Sequence, residues 1–382
     1  MIYLDNNATT PVIKEVMDVI INSMINDYAN PASLSHFEGI KSSIRLKEYR
    51  DSICENLGAE IDSIYFNSGA TESNNTILKS LVELFPTEKI HIITSKIEHK
   101  CILNTCGYLE SKGVEITYLP VNKNGVVNVD SLRSAIKKNT RLISVMGANN
   151  ETGVLQPIKE MGNIAKENNV LFHTDLAQVI GKIPFSFKDY NIDFASFSAH
   201  KFYGPKGVGA IYCKHSNLLN RYPLIHGGEQ EKGFRSGTIN LAGIAGMAKA
   251  VSLIKEFCAE NKMNEMFELK LFFIKKLTDS IPGVLINGDV YNSLPNTINF
   301  SLDGLKSSTF LKKIKSKISL SSGSACMSAE QKGSHVLSAM DLSEDRIQNS
   351  IRLSFNHFTT EKDIIQSLGI IIETVNRFKG LN

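Results

Sequence analysis

Short β-branched apolar runs alternate with longer stretches of helical periodicity through the middle of the chain. That alternation limits the fold more than any other feature. IHIITS (90–95), VEITYLP (114–120), TRLISVMGA (140–148), NVLFHTD (169–175), DFASFSA (193–199) and VGAIYC (208–213) read as buried strands. Helical patterns fall between most of them, as at Ser131–Lys138 and Ile158–Asn168. Such a pattern predicts an α/β unit whose mostly parallel sheet is covered on both faces. Further on, helical patterns at Ile244–Ala259 and Met263–Ser280 lead into a different arrangement. INGD, TINFSLD and IRLSF read as strands of a smaller α+β unit, closed by a helix from Glu361 to Phe378. The expected division is residues 15–255 for the large domain, with 1–14 and 256–382 forming the small one.

The 382 residues, 42% of them hydrophobic, suffice for two such cores. Lys and Arg total 42 against 39 Asp and Glu, a net charge of +3. So weak a balance gives no electrostatic footprint for direct nucleic-acid binding or for a membrane surface. The basic run Lys306–Lys317 reads as the solvated face of a helix. The N-terminal MIYLDNNATTP lacks the pattern of a signal peptide, and no apolar run approaches the ~20 residues needed to span a bilayer. Six scattered cysteines without a CxxC pair predict free thiols in a reducing, cytoplasmic setting. Five of them, Cys54, Cys101, Cys106, Cys213 and Cys258, sit beside apolar neighbours and are expected to pack as small hydrophobes. The histidines show no HExxH or comparable spacing, so no metal site is expected.

Ligands of open α/β sheets gather at the carboxyl ends of strands, and four polar clusters fall at such places. Asn67 to Asn75 (NSGATESNN) follows the strand SIYF and opens a helix; it is either an ordinary helix cap or a cradle of backbone N–H groups for a phosphate. Asp175 ends VLFHTD, as a loop cap or as a partner for a cationic ligand group such as a pyridinium nitrogen. Gln178 is close enough to reach the same ligand. Ser198-Ala199-His200-Lys201 follows another strand and leads into a glycine-rich turn. A partly desolvated lysine there becomes a nucleophilic amine suited to Schiff-base chemistry, with Ser198 and His200 beside it to hold a phosphate; the alternative is a plain surface turn. The turn fits neither GxGxxG nor GxxxxGK[ST], which sets aside dinucleotide and nucleoside-triphosphate sites. Lastly, Cys326 lies in SLSSGSACMS (319–328) with nothing bulky around it, as a reactive thiol or as an incidental surface cysteine.

Together these segments resemble the NifS/IscS-type cysteine desulfurases, class V aminotransferase relatives among the fold-type I pyridoxal-phosphate (PLP) enzymes. Ten motifs carry the resemblance in order: YLDNNATTP (3–11), NPASLSHFEG (30–39), SGATESNN (68–75), IEHKC (97–101), ANNETGVLQPI (148–158), HTDLAQVIGK (173–182), SAHKFYGPKGVGAIY (198–212), HGGEQEKGFRSGTIN (226–240), SSGSACMS (321–328) and SIRLSF (350–355). The resemblance implies a large domain with a mostly parallel seven-stranded sheet plus a small α+β domain carrying a catalytic-cysteine loop at 319–334.

It also implies roles. Lys201 would carry pyridoxal 5'-phosphate, with His99 stacked on its ring as a candidate acid/base. Asp175 would pair with the ring nitrogen and Gln178 with the phenolic oxygen. Ala70, Thr71, Ser198 and His200 would hold the phosphate, joined by Thr238 from the other subunit of a homodimer. Asn150 and Arg352 would orient L-cysteine, the guanidinium taking its carboxylate. Cys326 would receive the sulfur as a persulfide, leaving L-alanine. The implied alternative is another class V enzyme, an aminotransferase or selenocysteine lyase, which would not need Cys326. His335, nine positions after Cys326 in SHVL, matches the long-loop group. Two departures stand out. FNHFTTE (355–361) replaces the usual LGRFTTE, and the chain stops at Asn382, where housekeeping members carry a longer tail that docks the iron–sulfur scaffold. The second departure favours a dedicated sulfur-acceptor protein over iron–sulfur cluster assembly, with tRNA thiolation, cofactor assembly or DNA phosphorothioation as expected destinations.

Overall fold

The β-branched runs pair as strands at the places their composition marks. The computed structural model describes residues 1–215, 218, 220–322 and 333–380. Its strands are β1 (Ile2–Tyr3), β2 (Ile64–Asn67), β3 (His91–Ser95), β4 (Glu115–Leu119), β5 (Thr140–Ser144), β6 (Leu171–Asp175), β7 (Phe194–Ser198), β8 (Gly209–Cys213), β9 (Val284–Ile286), β10 (Thr297–Leu302), β11 (Ile318–Ser319) and β12 (Ser350–Ser354). Its helices are α1 (Lys14–Asn26), α2 (Phe37–Leu57), α3 (Ala70–Glu83), α4 (Lys100–Glu110), α5 (Val129–Ala135), α6 (Ile158–Glu167), α7 (Leu241–Ser252), α8 (Ile254–Phe257), α9 (Glu260–Ser280), α10 (Ser307–Ile314), α11 (His335–Ala339), α12 (Glu344–Gln348) and α13 (Glu361–Lys379).

A seven-stranded sheet runs in the order β2-β8-β7-β6-β5-β3-β4. All its pairings are parallel except those of β8, which is antiparallel to both neighbours. Because β8 inverts twice, β2 and β7 point the same way, and the carboxyl ends of β2, β3, β5, β6 and β7 share one edge. Helices cover the sheet as the sequence pattern predicts: in α6, Ile158, Met161, Ile164 and Ala165 make one buried stripe. The buried apolar residues of this part form one cluster from Val16 to Cys258 and Leu294, with α1 and α2 packed on α7. A second cluster, over the face of the β12-β10-β9 sheet, gathers Leu4 with residues from Met266 to Val375. The N-terminal strand crosses into it: β1 pairs in parallel with β11.

Some boundaries differ from the sequence reading for local reasons. The helix expected over 244–259 breaks at Leu253 into α7 and α8. The one expected over 131–138 starts earlier, where the Asn128 side chain accepts from the amides of Asp130 and Ser131, and ends when Ile136 turns extended. INGD contributes only Ile286 to β9, since Gly288 takes a positive φ of 90°. The Lys306–Lys317 run forms α10 and its C-terminal end, with Lys312, Lys313, Lys315 and Lys317 exposed. Thr360 and Asp363 start α13 with a reciprocal capping box. Among the described residues no helix is long and apolar enough to cross a membrane.

Candidate active site

The shared strand edge opens on a cavity of about 250 Å³. One end is built by β2 running into α3. Gly69 caps α3 with φ +150°, a conformation L side chains rarely adopt, and the Ala70 N–H donates to Ser198 Oγ at 2.7 Å. Beneath it, a Cβ on Gly209 of β8 would lie 2.4 Å from Gly69 Cα, so only glycine lets the helix N-terminus settle this close to the sheet. Ala70, Thr71 and Ser198 all line the cavity. The positive end of a 14-residue helix with a hydroxyl beside it suits an anionic group.

From Ser198, the last residue of β7, one 3-10 turn (Ala199–Lys201) carries His200 and Lys201 onto the cavity wall. His200 Nδ1 lies 3.1 Å from Thr9 Oγ1. Burial, then the charges of Lys201, Lys206 and Lys182, push its pKa down to about 4, so the ring meets any anion as a neutral donor. The turn is fixed by Tyr203, which holds φ +70° and donates its N–H to Thr10 Oγ1 at 2.7 Å. The Lys201 amine donates to the carbonyls of Asn7 and Ala8 at 2.8 and 2.7 Å. The N-terminal segment therefore holds this lysine at the cavity.

Asp175 ends β6 with 6% exposure and takes both its hydrogen bonds from amides: Asn74 Nδ2 at 2.7 Å and the Ala177 N–H at 2.9 Å. His99 caps α4, where its Nδ1 accepts the Cys101 N–H. An accepting Nδ1 leaves the ring proton on Nε2. Desolvation lowers the His99 pKa, against the opposing pull of Asp175. Gln178 donates from Nε2 to the Asn7 carbonyl at 3.0 Å. Arg352 reaches the cavity from β12, in the other core, only 2% exposed. Its Nη2 pairs with Asp5 Oδ1 at 2.6 Å and its Nη1 donates to the Asn150 carbonyl at 2.9 Å, while the buried Nε has no acceptor.

The fold thus brings Ala70, Thr71, His99, Asn150, Asp175, Gln178, Ser198, His200, Lys201 and Arg352 to one cavity. Thr238 lies elsewhere: it is exposed, on a second cavity of about 140 Å³ beside Asn67 and Arg235. Cys326 and the segment around it lie outside the described residues. Cys54, Cys106, Cys213 and Cys258 are buried; Cys101 packs against the apolar cluster around Ile77 and Ile102 and also lines the cavity. Its sulfur lies 3.0 Å from His99 Nδ1 and accepts from Asn74 Nδ2, and burial pushes its thiol up to about 12. Sequence reasoning also assigned no part to Asp5, Asn7, Asn74 or Lys182. DNNATT marks a polar break after β1, but nothing local says that Asn7 sits against Lys201. Among the described residues no cluster of His, Cys, Asp and Glu could hold a metal. An amine, a buried carboxylate, an imidazole and an anion cradle together fit a phosphate-bearing aromatic aldehyde.

A model of the family described as aminotransferase class-V matches residues 2–366. The chain belongs to that family. The cysteine desulfurase IscS of Dictyoglomus turgidum is 41% identical over 383 residues, all of this chain and 96% of that protein. A solved NifS-like protein is 38% identical at a TM-score of 0.91, covering 98% of this chain and 99% of its own. SspA, solved in complex with cysteine, is 37% identical at a TM-score of 0.83, covering 94% and 100%. Within class V, this family member therefore stands among the NifS/IscS-type cysteine desulfurases, and its seven-stranded α/β fold is theirs.

Proposed function

We propose that this cavity holds pyridoxal 5'-phosphate and that the chain takes sulfur from L-cysteine, leaving L-alanine and a persulfide on Cys326. The observation that carries the reading is the meeting of the Lys201 amine and the buried Asp175 carboxylate on one cavity, with the α3 N-terminus at its end. Bound there, the cofactor would supply an electron sink for charge developing on the substrate Cα. Lys201 would anchor it, and the Lys201 amine would take the Cα proton. Asp175 keeps the ring nitrogen protonated, and Gln178 donates to the phenolic oxygen. Thr71, Ser198 and neutral His200 would donate to the phosphate, seated at the α3 N-terminus that Ala70 opens. His99, with its proton on Nε2, would lie against the ring and serve as acid/base. Arg352, whose Nε lacks an acceptor, takes the substrate carboxylate beside Asn150. The Cys326 thiolate attacks the substrate sulfur: an S–S bond forms as the C–S bond breaks, and the carbon left behind gains a proton to become the methyl of alanine. Purified protein with cysteine should yield alanine and a Cys326 persulfide in equal amounts. Cys326→Ala should end both, and surviving sulfur release from that variant would refute the assignment.

The same reading includes a homodimer in the cytoplasm that hands its sulfur to an acceptor protein. Ile21, Met24 and Ile25 of α1 and Tyr28, Leu34 and Phe37 leading into α2 are exposed apolar side chains. So large an apolar surface fits burial against a second copy. Exposed Thr238, outside its own cavity, then completes the partner's phosphate site. Light scattering tests the dimer, and a monomer would refute it. A pull-down with Cys326→Ser against wild type tests for a sulfur-dependent acceptor; recovery of the same proteins by both forms would refute one.

A further inference from the structure

Lys182 follows Gln178 by four residues, and its side chain is buried, 5% exposed, behind Asn7 and Gln178, which line the cavity. Its amine donates to Asn7 Oδ1 at 2.6 Å and to Gln178 Oε1. Among the described residues it forms no ion pair; the charged groups that act on it are Lys201, Arg352 and, more weakly, Asp5. His200 and His357 also feel its charge. A buried ammonium without a carboxylate is costly, and burial together with Lys201 and Arg352 holds this pKa well below the ordinary lysine value. Two oxygen acceptors, Asn7 Oδ1 and Gln178 Oε1, are in place for its N–H groups. As core filler, a methionine of similar length would avoid the desolvation cost, so the amine calls for another explanation.

Its two acceptors supply one. An amide whose oxygen is taken must turn its NH2 group the other way. Gln178 accordingly points Nε2 at the Asn7 carbonyl at 3.0 Å, on the cavity side. Asn7 points Nδ2 at Thr297 Oγ1, 2.9 Å away, and at the Asn150 carbonyl, 3.3 Å away. The Asn7 carbonyl so fixed receives the Lys201 amine at 2.8 Å. We propose that Lys182 is a positioning residue: its amine locks the side-chain amides of Asn7 and Gln178 and, through them, aims the Gln178 N–H and the Lys201 amine into the cavity. The role rests on the reading above, in which Lys201 anchors pyridoxal phosphate and Gln178 faces the ring oxygen.

The test is Lys182→Met, which keeps the stem and removes both donors. Apoprotein is titrated with pyridoxal phosphate, followed by its visible absorbance when bound, and the pH midpoint of that absorbance and the melting temperature of the apoprotein are recorded. The variant should bind the cofactor about tenfold more weakly, the size of one misplaced hydrogen bond of ~1.4 kcal/mol. Its pH midpoint should also shift, because the donor to the ring oxygen is no longer held. A variant with wild-type affinity and midpoint overturns the proposal. So does one that only melts earlier, as a purely structural lysine would. If Lys182→Met does not fold, Lys182→Leu offers a shorter apolar side chain that likewise has no donor, and an unchanged affinity and midpoint there are equally fatal. Wild-type apoprotein that develops no visible absorbance would overturn the cofactor reading and this proposal together. A normal wild type beside an indifferent Lys182→Met overturns the proposal alone.

Discussion

Removing the Glu231 carboxylate should destabilise the protein far more than loss of an ordinary surface charge. Glu231 takes a bidentate pair from Arg50, at 2.8 and 2.7 Å, and accepts the Phe66 N–H at 2.8 Å. Its side chain is 2% exposed and that of Arg50 is 11% exposed. Glu231→Ala strands a guanidinium and a backbone N–H in the interior at once. Breaking one side of a buried pair costs about 3–5 kcal/mol, against roughly 0–1 for an exposed one. At roughly 2 cal/mol/K of unfolding entropy per residue, a chain of 382 residues has about 0.8 kcal/mol per degree, so the melting temperature should fall by about 4–6 °C. The assay is thermal unfolding of wild type, Arg50→Met, Glu231→Ala and Arg50→Met/Glu231→Ala. The double variant should recover most of the loss, because no charge is then left buried alone. A single-variant shift under about 1 °C, or strictly additive losses in the cycle, would refute the reasoning. The pair also bears on function. Glu231 and Lys232 hold positive φ values of 50° and 57°, and the Arg50 clamp fixes this bend seven residues before Thr238. Glu231→Ala should therefore weaken the proposed dimer as well.

Two further outcomes follow from the geometry. Gly209→Ala places a methyl group 2.4 Å from Gly69 Cα and 2.6 Å from the Phe197 carbonyl oxygen, so α3 must lift from β8. The expected cost is ~1–3 kcal/mol, with weaker phosphate-dependent cofactor binding in titration; unaltered binding would show that the close approach is dispensable. Burial raises the Glu98 carboxyl to about 8, against the lowering hydrogen bonds from Ser95 and the Met146 N–H. Its folded pKa therefore lies above the unfolded value. The stability it contributes is full below that unfolded value, near 4.5, and is lost as pH rises through about 8. From pH ~5 to ~8.5, wild type should lose melting temperature relative to Glu98→Gln; parallel curves would refute a protonated Glu98.

The strand runs, the covering helices and the placing of NSGAT, Asp175 and SAHK at strand ends were legible in the sequence, because period and strand termination are local properties. The same local reading erred at Leu253 and at INGD, where single backbone angles decide the element. The apolar sequence neighbours of Cys101 place it against the core but do not reveal that it also lines a cavity. Asn7 meets Lys201 across 194 positions and Asp5 meets Arg352 across 347. Such contacts come from the pairing of β1 with β11 and from the double inversion of β8, which depend on how two cores pack rather than on any run of residues. The sequence by itself determined the chemical groups this protein can bring to bear and the strand ends that carry them. Only the tertiary structure decided which amide faces which amine, since hydrogen-bond partners in a buried site are set by long-range packing that local periodicity does not encode.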